Sequence, residues 1–266
     1  MNISIITAVH NGAATIGDCI ESVRRQEHPA EHIIIDGCSN DGTLAVLEHY
    51  RHCLARVVSE PDQGMYDAMN KGIALASGDV VGILNADDLF AGARVLTEVA
   101  RVFADEKVES CYGDLVYVRG EGRGKGQDRP VEGSDPFNLH LPVVRYWRSG
   151  SYDRRKFYRG WMPPHPTFFV RKRVYEMFGV FDTRLGSAAD YELMLRFLLR
   201  HGISSVHIPE VMVRMRTGGR SNASLYNRLE AHRMDREAWR LNGLTPFPWT
   251  ILLKPLSKLP QYVLKL

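Results

Sequence analysis

Apolar runs and amphipathic stretches alternate along the first hundred residues of the chain. Runs rich in β-branched residues predict four strands, at residues 2–9, 31–35, 56–59 and 79–84. Between and after them, apolar side chains recur at helical spacing and predict four helices, at residues 13–26, 43–51, 67–76 and 93–104. Strands that alternate with helices in this way indicate βαβ units. The pattern therefore predicts an α/β fold with a mostly parallel sheet flanked by helices.

This alternation ends near residue 108. The glycine-rich residues 119–126 lack the spacing of a phosphate-binding P-loop and precede no helix pattern, so they are predicted to form a hairpin tip. Residues 130–165 form a long stretch rich in proline, glycine, aromatic residues and arginine, which in a compact domain is usually functional or mobile. The remaining predicted elements are strands at 110–118 and 203–207 and helices at 171–179, 189–201 and 224–241.

Composition restricts the class of protein. The 266 residues are 44% hydrophobic, which is typical of a globular chain with a sizeable core, and the net charge of +3 is too small to predict a nucleic-acid binder. The four cysteines form no CxxC pair and the ten histidines no HExxH pair, so reduced thiols in a cytosolic compartment are expected. Neither a signal peptide nor a transmembrane helix is expected.

Two acidic signatures follow predicted strands. Asp36-Gly-Cys-Ser-Asn-Asp41-Gly-Thr43 follows the second strand, and Asn85-Ala-Asp87-Asp88 follows the fourth. Because α/β proteins bind ligands beyond the carboxyl ends of their strands, the two clusters are predicted to hold a nucleotide and a divalent metal. Asp41, with the glycine and threonine after it, is interpreted as a turn that begins the next helix.

Four motifs in a fixed order resemble those of the family-2 inverting glycosyltransferases, which have the GT-A fold. They are Thr7-Ala-Val-His10-Asn11, the signature at Asp36, the stretch from Gly64 to Asp79 followed by Asn85-Ala-Asp87-Asp88, and Ala188-Ala-Asp190-Tyr-Glu192. The resemblance implies transfer of a sugar from a UDP, GDP or dTDP sugar to a hydroxyl acceptor. It also implies a glycan or lipid-linked acceptor, as in bacterial surface polysaccharide or glycolipid synthesis on the cytoplasmic face of the membrane.

The resemblance assigns five residues to the nucleotide. Asp36 would bond the base or ribose, although an Asx-turn is the alternative. Ala8 and His10 would lie near the base, with a turn histidine as the alternative for His10. Lys71 would contact the phosphates or the base, or pair with an aspartate one turn earlier. Asn85, which stands where the family usually has aspartate, would bond a ribose or sugar hydroxyl.

Asp87, with Asp88 beside it, is the predicted ligand of Mn²⁺ or Mg²⁺. Both metals accept oxygen ligands and often use only one or two protein carboxylates together with phosphates and waters. The alternative is that the two aspartates cap the helix that follows them.

Asp190 matches the family's catalytic base, with an N-terminal helix carboxylate as the alternative. Glu192 lies two residues away, so only one of the two is expected to reach the reaction centre. Glu192, Trp161, His165 and Arg220 are further candidates for contact with the acceptor or phosphate. The alternative for His165 is a histidine packed within its loop, and the alternative for Arg220 is a surface turn.

The last twenty residues, 247–266, mix aliphatic, aromatic and lysine side chains without acids, and Pro255 and Pro260 interrupt the apolar stretch. They are predicted to lie at a membrane interface or to pack against the core. The chain is thus divided into a nucleotide-sugar-binding half (1–108), an acceptor-side half of the same domain (109–222) and a C-terminal basic helix and tail (223–266).

Two other functions are compatible with an α/β chain of this kind. A catalytically inactive nucleotide-binding or scaffold protein is favoured by Asn85 and Ala189, whereas Asp87 and Asp190 argue against it. A sugar-nucleotide pyrophosphorylase would need a basic glycine-rich loop after the first strand, and here that turn carries neither arginine nor lysine.

Overall fold

The computed structural model describes residues 1–120, 135–139, 141–217, 225–256 and 261. The strands of this part of the chain are β1 (Ile3–Val9), β2 (Ala30–Asp36), β3 (Arg56–Ser59), β4 (Val80–Ile83), β5 (Leu89–Phe90), β6 (Ser110–Val118), β7 (Val143–Trp147), β8 (Phe169–Arg171) and β9 (Ser205–Arg216). The α-helices are α1 (Ile16–Arg24), α2 (Thr43–His49), α3 (Met65–Leu75), α4 (Val95–Val102), α5 (Lys172–Phe178), α6 (Ala189–Met194), α7 (Leu225–Leu241) and α8 (Thr250–Leu256).

The strands form one curled sheet in the order β3-β2-β1-β4-β8-β6-β9-β5, with β7 paired to β6. The long ladders are parallel, between β1 and β2, β1 and β4, β2 and β3, and β6 and β9. β8, β7 and β5 pair in antiparallel ladders, of which those of β8 and β5 contain two residue pairs each and that of β7 contains four. The predicted α/β fold with a mostly parallel, helix-flanked sheet is therefore confirmed.

Both faces of the sheet are buried, which explains the unbroken apolar runs. Ile33 and Ile35 of β2 pack into the cluster that contains α3, while Ile34 packs into the cluster that contains α1 and α4. All three side chains are completely buried. Each contributes about 1.5–3 kcal/mol to the free energy of folding. These contacts fix the strands whose ends carry the acidic signatures.

The strand predicted at 203–207 is longer than expected and continues to Arg216. Its pairing with β6 jumps from Ile208 to Val211, so Pro209 and Glu210 are left out of the register. Proline has no backbone N–H to donate, and a bulge is the usual way for a strand to accommodate it. The strand resumes beyond the bulge and brings Arg216 into contact with α1 and with the loop after β4.

The C-terminal segment docks on the acceptor-side half through α8. Thr250 Oγ1 donates to the carbonyl oxygen of Tyr158 (2.7 Å), and Lys254 Nζ donates to Asp235 of α7 (2.6 Å). Phe247, Trp249 and Leu252 nevertheless remain 50%, 52% and 61% exposed. Residues 247–256 of the predicted tail are thus partly packed and partly presented to solvent, and 257–260 and 262–266 lie outside the described residues.

Within the described ranges, no helix is both long enough and apolar enough to cross a membrane.

Candidate active site

Asp36 ends β2 and its side chain is completely buried. Its Oδ2 accepts hydrogen bonds from the backbone N–H of Ser39 (3.1 Å) and the hydroxyl of Ser59 (2.6 Å). Its Oδ1 is buried and has no hydrogen-bond partner among the described residues. One oxygen therefore makes the predicted turn, and the other is held in a fixed direction with its acceptor capacity unused.

The loop after β1 lies against the loop after β2. His10 Nδ1 lies 2.9 Å from the carbonyl oxygen of Gly37, so this nitrogen carries the proton and donates it. The backbone N–H of Asn11 donates to the Ser39 hydroxyl (2.8 Å). The ring of His10 is exposed and Ala8 is half-buried, so both remain accessible at this edge of the sheet.

Asp41 has a structural role. Its Oδ1 accepts from the N–H and the hydroxyl of Thr43, and its Oδ2 accepts from the N–H of Ala13. Burial alone would raise the pKa of this carboxyl, but the hydrogen bonds from Thr43 and Ala13 outweigh it and hold the pKa below the usual range. The interpretation of Asp41 as a turn and helix start is confirmed.

Lys71 is engaged by acidic neighbours. Its Nζ lies 2.9 Å from Glu60 and 3.7 Å from Asp67, and it donates to the carbonyl oxygen of Pro61 (2.8 Å). The hydrogen bond to Glu60 raises the pKa of the ammonium group. The structure thus shows the salt-bridge alternative, with Glu60 as the nearer partner, and contact of Lys71 with a nucleotide stays a prediction.

Asp87 and Asp88 differ sharply in exposure. The Asp87 side chain is half-buried, and its carboxylate makes no hydrogen bond or ion pair with any residue that the structure describes. Asp88 is completely buried; its Oδ2 accepts from Asn85 Nδ2 (2.8 Å), and its Oδ1 has no partner there. Burial, and then the negative charge of Asp87, raise the pKa of Asp88 well above its usual value. The pair places one carboxylate outward and one inward.

The alternative that these aspartates cap a helix is wrong. β5 follows Asp88 directly, and α4 begins only at Val95 after Arg94. The loop that carries the aspartates is instead held at both ends by strands, because β5 pairs with β9.

Arg216 supports this loop and was not identified from the sequence. Its Nη2 donates to Asp18 Oδ2 (2.7 Å) and its Nη1 donates to the backbone carbonyl oxygen of Asp87 (3.2 Å). Both charged side chains are buried, at 7% and 6% exposure. Asp18 and Arg216 are 198 residues apart in the chain, and no local motif links them.

The described residues contain no group of three His, Cys, Asp or Glu side chains arranged to hold a metal ion. A metal that is shared with a diphosphate needs only one or two protein carboxylates, since phosphate and water oxygens complete its coordination. The outward Asp87 carboxylate fits that requirement. Asp88 points inward, so its part in metal binding stays a prediction.

Asp190 lies in the first turn of α6 and is half-buried, with Oδ1 accepting from the N–H of Tyr191 (2.7 Å). The negative charge of Asp190 affects the pKa values of two nearby side chains, His165 and Tyr66. Burial lowers the pKa of His165, and the charge of Asp190 partly opposes that shift. Burial and the charge of Asp190 raise the pKa of Tyr66. The predicted base thus lies close enough to both side chains to influence their pKa values.

A hydrogen-bonded pair joins the two halves beside this base. Asn70 of α3 donates from Nδ2 to the carbonyl oxygen of Phe181, and the N–H of Phe181 donates back to Asn70 Oδ1, both at 2.9 Å. The Phe181 ring packs against Tyr66 and His165, with ring centroids 5.2 and 5.5 Å apart. The segment before α6 is therefore fixed to the nucleotide-binding half.

Glu192 does not reach the open side of the site. It is buried, its Oε2 accepts from Arg196 (2.8 Å), and its Oε1 accepts from Asn242 Nδ2 (3.1 Å). The structure does not support its predicted contact with acceptor or phosphate, because one oxygen pairs with Arg196 one turn later and the other binds the residue that follows α7. Trp161 donates from Nε1 to the carbonyl oxygen of Ser149 (3.0 Å) and keeps its ring half-buried. Arg220 lies outside the described residues.

The chain matches the sequence profile described as "Glycosyl transferase family 2" over residues 4–178. It is 35% identical over 202 residues to an uncharacterised glycosyltransferase of Mycobacterium tuberculosis, covering 74% of this chain and 69% of the relative. It is 28% identical over 198 residues to a PGL/p-HBAD biosynthesis glycosyltransferase of Mycobacterium bovis, covering 73% of this chain and 68% of the relative.

Two solved structures share the fold. Residues 1–349 of TarS from S. aureus in complex with UDP-GlcNAc superpose with a TM-score of 0.65 at 18% identity, covering 99% of this chain and 79% of that one. The mannosyltransferase PcManGT from Pyrobaculum calidifontis in complex with GDP-Man and Mn²⁺ superposes with a TM-score of 0.62 at 19% identity, covering 96% and 69%.

Proposed function

Because this chain belongs to glycosyl transferase family 2 and is a glycosyltransferase, we propose that it transfers a sugar from a nucleotide diphosphate sugar to a glycan or lipid-linked hydroxyl acceptor, with inversion. The placement of Asp36 and Asp87 carries this proposal. β1 pairs with β2 up to Asp36 on one side and with β4 on the other, so both carboxylates lie at one edge of the sheet. One holds an unused buried acceptor and the other an unpaired outward charge.

Each carboxylate has a distinct task. Asp36 Oδ1 accepts a hydrogen bond from the base or ribose, while Ser39 and Ser59 keep the carboxylate oriented. Asp87 would hold Mn²⁺ or Mg²⁺, which when bound neutralises charge on the departing diphosphate. The Mn²⁺ complex of PcManGT supports a divalent metal in this fold. The donor is a UDP, GDP or dTDP sugar.

Asp190 is the base. It removes the proton from the acceptor hydroxyl as that oxygen attacks the anomeric carbon, and the bond from that carbon to the diphosphate oxygen breaks on the opposite face. Because burial lowers its pKa, His165 is neutral at pH 7 and places no positive charge beside Asp190. A cation there would weaken the carboxylate as a base.

Exposed aromatic side chains support a membrane-bound acceptor. Phe247 stacks on Trp249 at 5.2 Å and packs against Tyr158 at 5.2 Å. Tyr158 belongs to the 3-10 turn Arg154–Arg159, which carries four basic side chains and no acid. Aromatic rings beside positive charge favour contact with an anionic bilayer, and we place the enzyme on the cytoplasmic face of the membrane.

The proposal is tested by calorimetric titration with UDP, GDP and dTDP, each with and without Mn²⁺. We expect metal-dependent binding of one nucleotide, lost in Asp87→Ala and kept in Glu48→Ala, which removes an exposed carboxylate of α2. Folded protein that binds no nucleotide would instead indicate the inactive scaffold. Metal-independent binding that Asp87→Ala leaves unchanged would remove the metal from the mechanism.

A further inference from the structure

A cleft of about 600 Å³ lies between the 3-10 turn Thr183–Ala188 and α7. Apolar side chains that line it are Leu185, Met234 and Leu241. The charged side chains that line it are four arginines and two acids: Arg184, Arg233, Arg236, Arg240, Asp182 and Glu237. The cleft therefore combines an apolar lining with an excess of positive charge.

Two of these arginines are neutralised locally. Arg184 pairs with Asp182 at 2.7 Å, and Arg240 donates from Nε to Glu237 at 2.8 Å. The other two are not. Arg233 lies 3.5 Å from Glu230 and its charge also acts on Glu237, which Arg240 already binds. Within the described ranges Arg236 makes no hydrogen bond or ion pair. Two guanidinium groups thus line the cleft with charge that no nearby acid fully balances.

A short segment of chain links the cleft to the candidate base. Phe181 packs against His165 and is held by Asn70, and the cleft residue Asp182 follows it directly. The turn that lines the cleft then leads into α6, which carries Asp190 in its first turn. A group bound in the cleft is therefore connected by only a few residues to the place where the acceptor hydroxyl loses its proton.

We propose that this cleft binds a phosphate group of the acceptor, with Arg233 and Arg236 as its ligands and the apolar lining in contact with the attached chain. The planar guanidinium offers paired N–H donors that match phosphate oxygens, and it desolvates more easily than an ammonium group. This proposal rests on the proposed function, because it names the chemistry of that enzyme's acceptor as a phosphate ester. The shared chemistry is a phosphate monoester or diester, carried by a lipid or by a phosphorylated glycan.

The test is calorimetric titration of the full chain, first saturated with UDP and Mn²⁺, using farnesyl phosphate, farnesol and inorganic phosphate as probes. We expect farnesyl phosphate to bind and farnesol to bind far more weakly. In the double variant Arg233→Gln/Arg236→Gln, farnesyl phosphate should bind about tenfold or more weakly, because two charge-assisted contacts are lost. The matched control is Arg51→Gln, which removes an exposed arginine in the nucleotide-binding half and should change nothing.

The UDP titration on the same samples separates this proposal from the proposed function. If UDP fails to bind but the arginine dependence holds, the donor assignment is wrong and the cleft assignment stands. Equal binding of farnesol and farnesyl phosphate, or the same affinity in the double variant, would overturn the cleft. If inorganic phosphate displaces farnesyl phosphate, the result indicates a phosphorylated glycan as the acceptor. If inorganic phosphate does not displace it, the result indicates a lipid phosphate. Should the double variant fold poorly, Arg236→Glu alone must abolish binding.

Discussion

Arg216 Nη2 and Asp18 Oδ2 lie 2.7 Å apart in a buried ion pair that stands directly behind the loop of Asp87. The guanidinium reaches that loop through a hydrogen bond to a backbone carbonyl oxygen, so it fixes the position of the Asp87 main chain. Neither residue carries chemistry itself. The pair joins α1, the end of β9 and the loop after β4, three parts of the chain that meet only in the fold.

Removing one member of this pair should be worse than removing both. Arg216→Met removes the positive charge that Asp18 Oδ2 binds in a buried position, and we expect a loss of about 3–5 kcal/mol in the free energy of unfolding. The double variant Asp18→Asn/Arg216→Met should recover part of that loss, as chemical denaturation will show. Strictly additive effects of the single variants would mean that the two side chains do not interact.

Asp190→Asn should lower kcat by about 10²- to 10⁴-fold while leaving nucleotide affinity nearly unchanged, since it removes only the proton acceptor. The measurement is single-turnover transfer together with a nucleotide titration. Glu192→Gln is the matched control. It weakens an internal ion pair with Arg196 and should reduce stability with a much smaller effect on kcat. A larger kcat loss in Glu192→Gln would reverse the assignment of the base.

His32 should make the protein sensitive to mild acid. Burial lowers its pKa to about 3, whereas the unfolded chain has the ordinary value near 6.5. The unfolded state therefore binds the proton first, and the stabilisation is complete above pH 6.5 and is lost as the pH falls toward 3. Each pH unit within that window lowers the free energy of unfolding by at most about 1.4 kcal/mol.

Equilibrium denaturation between pH 7.5 and 5.5 measures this dependence. His32→Gln can still bond the Thr7 hydroxyl, which lies 3.0 Å from His32 Nε2, and should flatten the curve. His52→Gln, which changes an exposed histidine, should leave the slope as it is. An unchanged slope in His32→Gln would show that other groups cause the acid sensitivity.

Co-sedimentation with vesicles tests the exposed aromatic surface. We expect binding to vesicles that contain phosphatidylglycerol, weaker binding to pure phosphatidylcholine and a decrease with salt. Phe247→Ser/Trp249→Ser should weaken it about tenfold or more, because two large apolar side chains no longer insert. Met177→Ser removes a side chain of similar exposure (56%) on α5 and serves as control. Equal binding by both variants would assign the aromatic pair another role.

The sequence predicts the donor side of this fold well because its signals are local. β-branched runs and helical spacing locate β1 to β4 and α1 to α4 within a few residues. β8 and β5 were missed because they are three and two residues long, too short to show a period. Their existence depends on partners that lie far away in the chain.

In the candidate site, too, some features depend on local sequence and others on contacts between distant parts of the chain. Asp36, Asp87 and Asp190 follow motifs whose neighbours in sequence are also their neighbours in space. The burial of Glu192 depends on Arg196 and on Asn242, fifty residues away. The roles of Arg216 and Asp18 depend on a contact that no linear pattern contains. The positions of the local motifs at the strand and helix ends could therefore be predicted, and the contacts that support them could not.

The curled sheet also determines how the enzyme can move. The loop that carries Asp87 begins on β4 in the middle of the strand order and ends on β5 at its far edge. Between them, β8 pairs with both β4 and β6. Asn70 also forms a hydrogen bond with Phe181, which joins the nucleotide-binding half to the acceptor-side half. A rigid-body separation of the two halves would break the β4–β8 and β6–β8 hydrogen bonds. Substrate entry and product release must therefore depend on movement of the loops at the edge of the sheet, while the sheet itself keeps its position during the catalytic cycle.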